Sequence, residues 1–160
     1  MRLYILPAGT PEALFEIQNS RAESELLTVC GGNPQMLLVN TPDGACVASI
    51  RRFCFFDFFF YDIRTVDGGK VSMMRSLSGG APAFSVLRQN WKFRGDFVLR
   101  SFDLIGEDGS LLMTHGRAWE RGPDCFAVDI RAHEGLLLLC TAIAVDSESQ
   151  AGSAAMPTVH

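Results

Sequence analysis

Apolar and polar positions follow two rhythms along this chain. Up to about residue 131 the apolar runs are short and alternate with polar residues. From Leu136 to Val145 the alternation stops, and the sequence reads Leu-Leu-Leu-Leu-Cys-Thr-Ala-Ile-Ala-Val. A helix over this stretch has no polar face, so protein or lipid must surround it. Ten such residues span about 15 Å, roughly half the ~30 Å hydrocarbon core of a bilayer. The pattern therefore predicts a core helix rather than a membrane span. Leu136, Leu137, Leu138, Leu139 and Ile143 are its buried residues.

The alternating part reads as strands. Leu3–Leu6, Leu14–Ile17, Ser24–Val29 and Met36–Val39 are the first, interrupted by Pro7, the polar Asn19–Ser24 stretch and Gly31-Gly32-Asn33-Pro34. An Asp-Gly device then recurs at Asp43-Gly44, Asp67-Gly68 and Asp108-Gly109, each followed by an apolar alternating run. Asp-Gly between such runs is a strong signal for a β-hairpin. Asp43–Arg64 and Asp108–Arg131 resemble each other, each ending in Asp-Ile-Arg, and read as two related β units. Between them lie the flexible Leu77–Pro82 loop and the strand Phe84–Leu87. In Trp91–Leu99 the apolar residues Trp91, Phe93, Phe97 and Leu99, with Gly95, share one face. The parity then flips, which predicts a bulge or bend near Arg100-Ser101.

Some ten to twelve strands followed by one apolar helix leave one economical architecture. The protein is mainly β, a closed antiparallel β-barrel around the hydrophobic C-terminal helix, which hides the helix and removes the sheet edges together. Residues 1–147 form a single domain, and residues 148–160, rich in Ser, Ala and Gly, form a disordered tail.

Composition fits a globular chain, with 48% apolar and 20% charged residues in 160. A net charge of −4 argues against a general nucleic-acid binder. That charge is unevenly spread. Residues 51–100 carry 9 basic and 4 acidic side chains, whereas residues 101–160 carry 3 basic and 9 acidic. The five cysteines (Cys30, Cys46, Cys54, Cys125, Cys140) have no Cys-x-x-Cys spacing. They read as free thiols in a reducing cytoplasm, with no zinc site and no other cofactor. No segment reads as a signal peptide or a transmembrane span.

Candidate chemistry is sparse. His115 and Cys125, with Asp124 and Asp129 nearby, are the one pair that invites a nucleophilic reading, against the plainer one of a buried cysteine and a surface histidine. His133-Glu134 reads either as an acid/base or metal pair or as a helix entrance, with Glu134 at the positive helix end. Arg88, Lys92 and Arg94 share a parity and form a candidate anion-binding cluster. Phe53–Tyr61 holds seven aromatic residues in nine. A strand can bury only about half of them on one face, which makes Phe55, Phe56, Phe58 and Phe59 a candidate partner surface.

Several motifs in order carry a resemblance to a known family. They are Trp91-Lys92-Phe93-Arg94-Gly95-Asp96-Phe97, Phe102-Asp103-Leu104, Glu107-Asp108-Gly109, Arg117-Ala118-Trp119, Phe126–Ile130 and the closing helix Leu136–Asp146. In that order they resemble the LURP-one-related proteins of the tubby C-terminal-like superfamily, which also includes the phospholipid scramblases. The resemblance implies a twelve-stranded barrel around a C-terminal helix. Asp103–Gly109 departs from a scramblase-like calcium loop, because Leu104 and Ile105 stand where oxygens are needed. Fold alone does not carry activity. The expectation is a non-enzymatic cytoplasmic binding module. Its ligand would be an anionic phospholipid or phosphoinositide headgroup, or a protein partner. The alternative is a small cytoplasmic enzyme using Cys125 and His115 in a pocket.

Overall fold

A computed structural model describes residues 1–32, 35–78 and 81–151. The chain forms twelve strands and one helix. The strands are β1 (Arg2–Pro7), β2 (Ala13–Gln18), β3 (Ser24–Cys30), β4 (Met36–Asn40), β5 (Cys46–Phe55), β6 (Phe58–Thr65), β7 (Lys70–Ser78), β8 (Ala81–Leu87), β9 (Lys92–Asp96), β10 (Ser101–Ile105), β11 (Leu111–Arg117) and β12 (Phe126–Ile130). The helix α1 follows at Gly135–Ala151.

All twelve strands lie in one antiparallel sheet of order β8-β7-β6-β5-β4-β3-β2-β1-β12-β11-β10-β9. The first strand pairs with the last, Leu3 opposite Val128, and this pairing curls the sheet into a nearly closed barrel. Among the described residues only the β8–β9 seam has no hydrogen-bonded ladder. Aromatic rings fill it instead, with Phe84 6.4 Å from Phe93 and 5.0 Å from Phe97. Pro82 in β8 suits such an edge, since it has no N–H to donate. Lys92 and Arg94 are exposed charges on the other edge strand, the usual protection against pairing with a second chain.

The expected core helix is present. Leu138, Cys140, Ala142, Ile143 and Ala144 are fully buried, Leu137 and Leu139 nearly so, and Leu136 is half-buried. Thr141 and Ser147 satisfy their hydroxyls within the helix, on the carbonyls of Leu137 and Ala144. Inward strand residues such as Ile17, Val39, Ile63, Met73, Leu104 and Val128 close around it. Among the described residues no helix is long and apolar enough to cross a membrane.

The meander sorts its turns by end. The Asp-Gly turns join β4 to β5, β6 to β7 and β10 to β11, at the end where α1 begins. Gly44, Gly68 and Gly109 all take φ between 80° and 97°, each donating its N–H back to Thr41, Thr65 or Gly106. The two resembling segments are the β5–β6 and β11–β12 hairpins.

Three expectations are corrected. Leu77–Pro82 is not a loop, because Leu77 pairs with Pro82 and Ser78 with Ala81 at the end of the β7–β8 hairpin. Trp91–Leu99 is not one strand, because β9 ends at Asp96 and the chain reverses through Phe97–Arg100. The parity flip is thus a hairpin turn rather than a bulge. Val98 and Leu99 project outward, and Arg100 takes φ 57°. Gly95 lies under the turn, where a Cβ would stand 2.4 Å from the Ser101 carbonyl oxygen. The tail boundary at residue 148 also moves, since α1 continues to Ala151 and Glu148 is buried in ion pairs. Residues 152–160, the rest of the expected tail, lie outside the described residues, as do Asn33-Pro34 and Gly79-Gly80 within the expected breaks.

Candidate functional site

Alternation places every second residue of β5–β8 on the outer wall, and one groove there gathers unusual charge. It measures about 470 Å³ and is flanked by Arg51, Arg64, Lys70 and Arg88. Its apolar side is the stacked pair Phe53–Phe60, with ring centroids 5.5 Å apart, and Leu87. Arg64 stands directly opposite Lys70 across the β6–β7 hairpin. Like charges at facing positions are destabilising. Asp62 offsets one of them, accepting from Arg64 Nε at 3.2 Å. Arg51, Lys70 and Arg88 have no carboxylate within ion-pair distance among the described residues. Arg88 sits just past β8 with φ 65°, a left-handed backbone that turns it toward the groove wall.

Of the sequence-derived cluster, only Arg88 lies in this groove. Lys92 and Arg94 are exposed on β9, and Arg94 pairs with Asp103 at 2.9 Å. Arg51, Arg64 and Lys70 were missed, although the symmetric placement of Arg64 and Lys70 about Asp67 was a readable signal.

The aromatic run divides. Phe55, Phe56 and Phe58 are exposed at the β5–β6 tip, Phe56 at 81%. Phe59 departs from the expected partner surface. It turns to the barrel mouth and packs between the Arg52 and Arg75 guanidiniums, 4.1 and 5.3 Å from its ring centre. Tyr61 is buried.

Beneath this mouth the last turns of α1 carry two buried ionic clusters. Glu148 accepts from Arg52 Nε at 2.6 Å, pairs with Arg75 at 3.3 Å and receives the Tyr61 hydroxyl. Burial and the Glu148 charge push the Tyr61 phenol well above its ordinary range. Asp146 pairs with Arg100 at 2.8 Å and with His115 Nε2 at 2.9 Å, while His115 Nδ1 faces the Arg100 carbonyl oxygen at 2.7 Å. Both partners of His115 are oxygens, a carboxylate on one side and a backbone carbonyl on the other. Phe102 and Phe126 stack on its two faces. The signal for these clusters was a polar side chain at inward parity: Arg52 after Ala48 and Ile50, Arg75 after Val71 and Met73, His115 after Met113. Such a residue requires a buried partner.

His115 is therefore not the surface residue of the plainer reading. Its side chain and that of Asp146 are fully buried. Cys125 lies on the opposite face of the wall with Tyr4, Ala118 and Ala127. Burial pushes its thiol up, away from a reactive thiolate, and pushes that of Cys140 up to about 12. His133 and Glu134 are exposed at the helix entrance, where the Glu134 carbonyl accepts the first helical bond from Leu138 N–H. Among the described residues no group of three or more His, Cys, Asp or Glu side chains could hold a metal ion. A larger concavity of about 640 Å³ opens beside the start of α1. Its mouth mixes Arg21 with Glu23 and Glu25, and Asn19 bonds both carboxylates.

A solved structure resembles this chain in fold. An X-ray structure of a protein from Arabidopsis thaliana superposes with a TM-score of 0.63, covering 92% of this chain and 91% of that one, at 10% identity. At that identity the likeness shows the fold alone. No family profile and no curated protein sequence matches the chain.

Proposed function

We propose that this protein is a non-enzymatic barrel module that binds an anionic lipid headgroup in the groove flanked by Arg51, Arg64, Lys70 and Arg88. The observation that carries this reading is the facing Arg64–Lys70 pair, reinforced by Arg51 and Arg88 on a chain of net charge −4. Facing cations cost stability, and a bound anion recovers it. Phosphate suits the set, because arginine forks bind it bidentately and lysine supplies a point charge. The Phe53–Phe60 stack gives a ring or glycerol moiety an apolar flank. Motif order and barrel architecture together support membership of the LURP-one-related family within the tubby C-terminal-like superfamily, and the free thiols support a cytoplasmic setting.

The test is sedimentation with vesicles of phosphatidylcholine, with and without phosphoinositide, at low and moderate salt. Binding is expected only with phosphoinositide, weakened by salt. It should fall by at least about tenfold in the Arg51→Ala/Lys70→Ala/Arg88→Ala variant and persist in Lys92→Ala/Arg94→Ala. Binding that ignores the groove variant overturns the site. Binding to neither vesicle removes the lipid reading and leaves a protein partner as the ligand class.

A further inference from the structure

We infer that the barrel end at which α1 finishes faces the bilayer, with the β5–β6 tip and the β9–β10 turn inserting apolar side chains at the boundary of headgroups and acyl chains. This rests on the headgroup reading and adds to it an orientation and a second kind of contact.

The turns that join β5 to β6 and β9 to β10 lie at that end, beside Asp146 and Glu148. They carry Phe55 (62% exposed), Phe56 (81%), Phe58 (40%), Val98 (67%) and Leu99 (63%). Across the opposite end, the Asp-Gly turns present polar and glycine residues, with Val66 the one large apolar side chain exposed among their described residues and Met1 the other exposed beside the start of α1.

Both apolar turns are held in place at a cost. Phe56 begins a two-residue turn with φ 56°, a conformation that glycine and asparagine adopt readily and a bulky side chain does not. A strained backbone carrying an exposed ring points to a use for that ring. In the second turn Asp96 Oδ1 accepts from the Val98 and Leu99 N–H groups at 2.9 and 3.0 Å. Arg100 closes the turn and is anchored on Asp146. The side chains are thus presented from fixed backbones.

Distance and charge complete the case. Arg51 lies four residues before Phe55 on β5. That is about 14 Å along the strand, or about 10 Å along the barrel axis after the usual tilt. Side chains inserted roughly 5–10 Å leave Arg51 within the headgroup layer, and the rest of the groove just above it. The apolar tip and the basic groove thus match the two layers of one leaflet in order. Asp57, in the same turn as Phe56, keeps the insertion shallow.

The deciding variant is Phe56→Asn, compared with the parent protein for phosphoinositide-vesicle binding, binding of soluble inositol trisphosphate, and thermal midpoint. Expected are a midpoint at or above the parent's, unchanged binding of the soluble headgroup, and vesicle binding weakened at least about tenfold. Unchanged vesicle binding overturns the insertion and leaves the groove reading standing. A parent protein that binds neither probe overturns both. As a second readout, the Trp emission added by Phe56→Trp should be quenched by brominated phosphatidylcholine in phosphoinositide vesicles, and that added by Val66→Trp should not. The reverse pattern overturns the orientation.

Discussion

Glu148 shows how much one side chain can hold. It is 7% exposed and neutralises Arg52, itself 3% exposed, while Arg75 and the Tyr61 hydroxyl share its oxygens. Removing one partner from a buried pair strands the other charge and costs about 3–5 kcal/mol. Glu148→Gln keeps one acceptor, so about 3 kcal/mol is expected, read from urea unfolding. Arg94→Gln breaks a pair whose arginine is 70% exposed and should cost under about 1 kcal/mol. Equal effects would contradict the burial argument. Ending the chain after Ser147 removes Glu148 and should be as costly as Glu148→Gln, whereas ending it after Ala151 keeps every pair. The sequence hid this residue in plain sight. Asp146 and Ser147 read as a helix stop, and nothing local says that Glu148 meets a strand 96 positions earlier. Half of the clue was present, in cations at inward parity on β5 and β7.

Elements were legible where backbone chemistry is local. An apolar stretch with no polar face has one place in a small protein, and Leu138→Asp is expected to abolish folding by burying a charge there. A soluble variant with a cooperative unfolding transition would refute it. The Asp-Gly turns were equally plain. Their carboxylates also make the fold acid-sensitive. Asp43, Asp67 and Asp108 are each held below the ordinary value of 3.8, chiefly by the side chains of Thr41, Thr65 and Ser110. A depressed folded value means that the charged turns stabilise the fold above about pH 4, and that this contribution is lost as pH falls through the lowered values. Denaturation midpoints of the Asp43→Asn/Asp67→Asn/Asp108→Asn variant should therefore depend less on pH below about pH 4 than the parent's. Parallel curves would remove the turns as the cause. The Phe56-Asp57 and Val98-Leu99 turns gave no warning, because neither contains glycine, proline or asparagine. Residues chosen against turn propensity are illegible to a reading based on it.

At the scale of the molecule, closure was legible and the place of the seam only faintly so. A barrel that hides α1 must join its ends somewhere, and hydrogen bonds accomplish this everywhere except between β8 and β9. Pro82, Lys92 and Arg94 are edge residues in retrospect. As sequence, the two cations looked like a binding cluster, since an edge charge and a ligand charge share the same parity. The seam is held by Phe84, Phe93, Phe97 and Phe102 instead. Ring packing without a ladder should make β8 and β9 the first strands to open, because local stability follows the contacts that opening must break. Phe93 contacts the other three rings of this cluster, Phe84, Phe97 and Phe102, and is half-buried. Phe93→Ala should therefore cost about 3 kcal/mol, at the low end for a truncated phenylalanine. Amide hydrogen exchange is the check that separates a seam from a general loss of core. Phe93→Ala should speed exchange in β8 and β9 well beyond that in β1 and β12, whose pairing closes the sheet on the far side. A uniform loss of protection would mean that the barrel opens as one unit and that the seam has no independent motion.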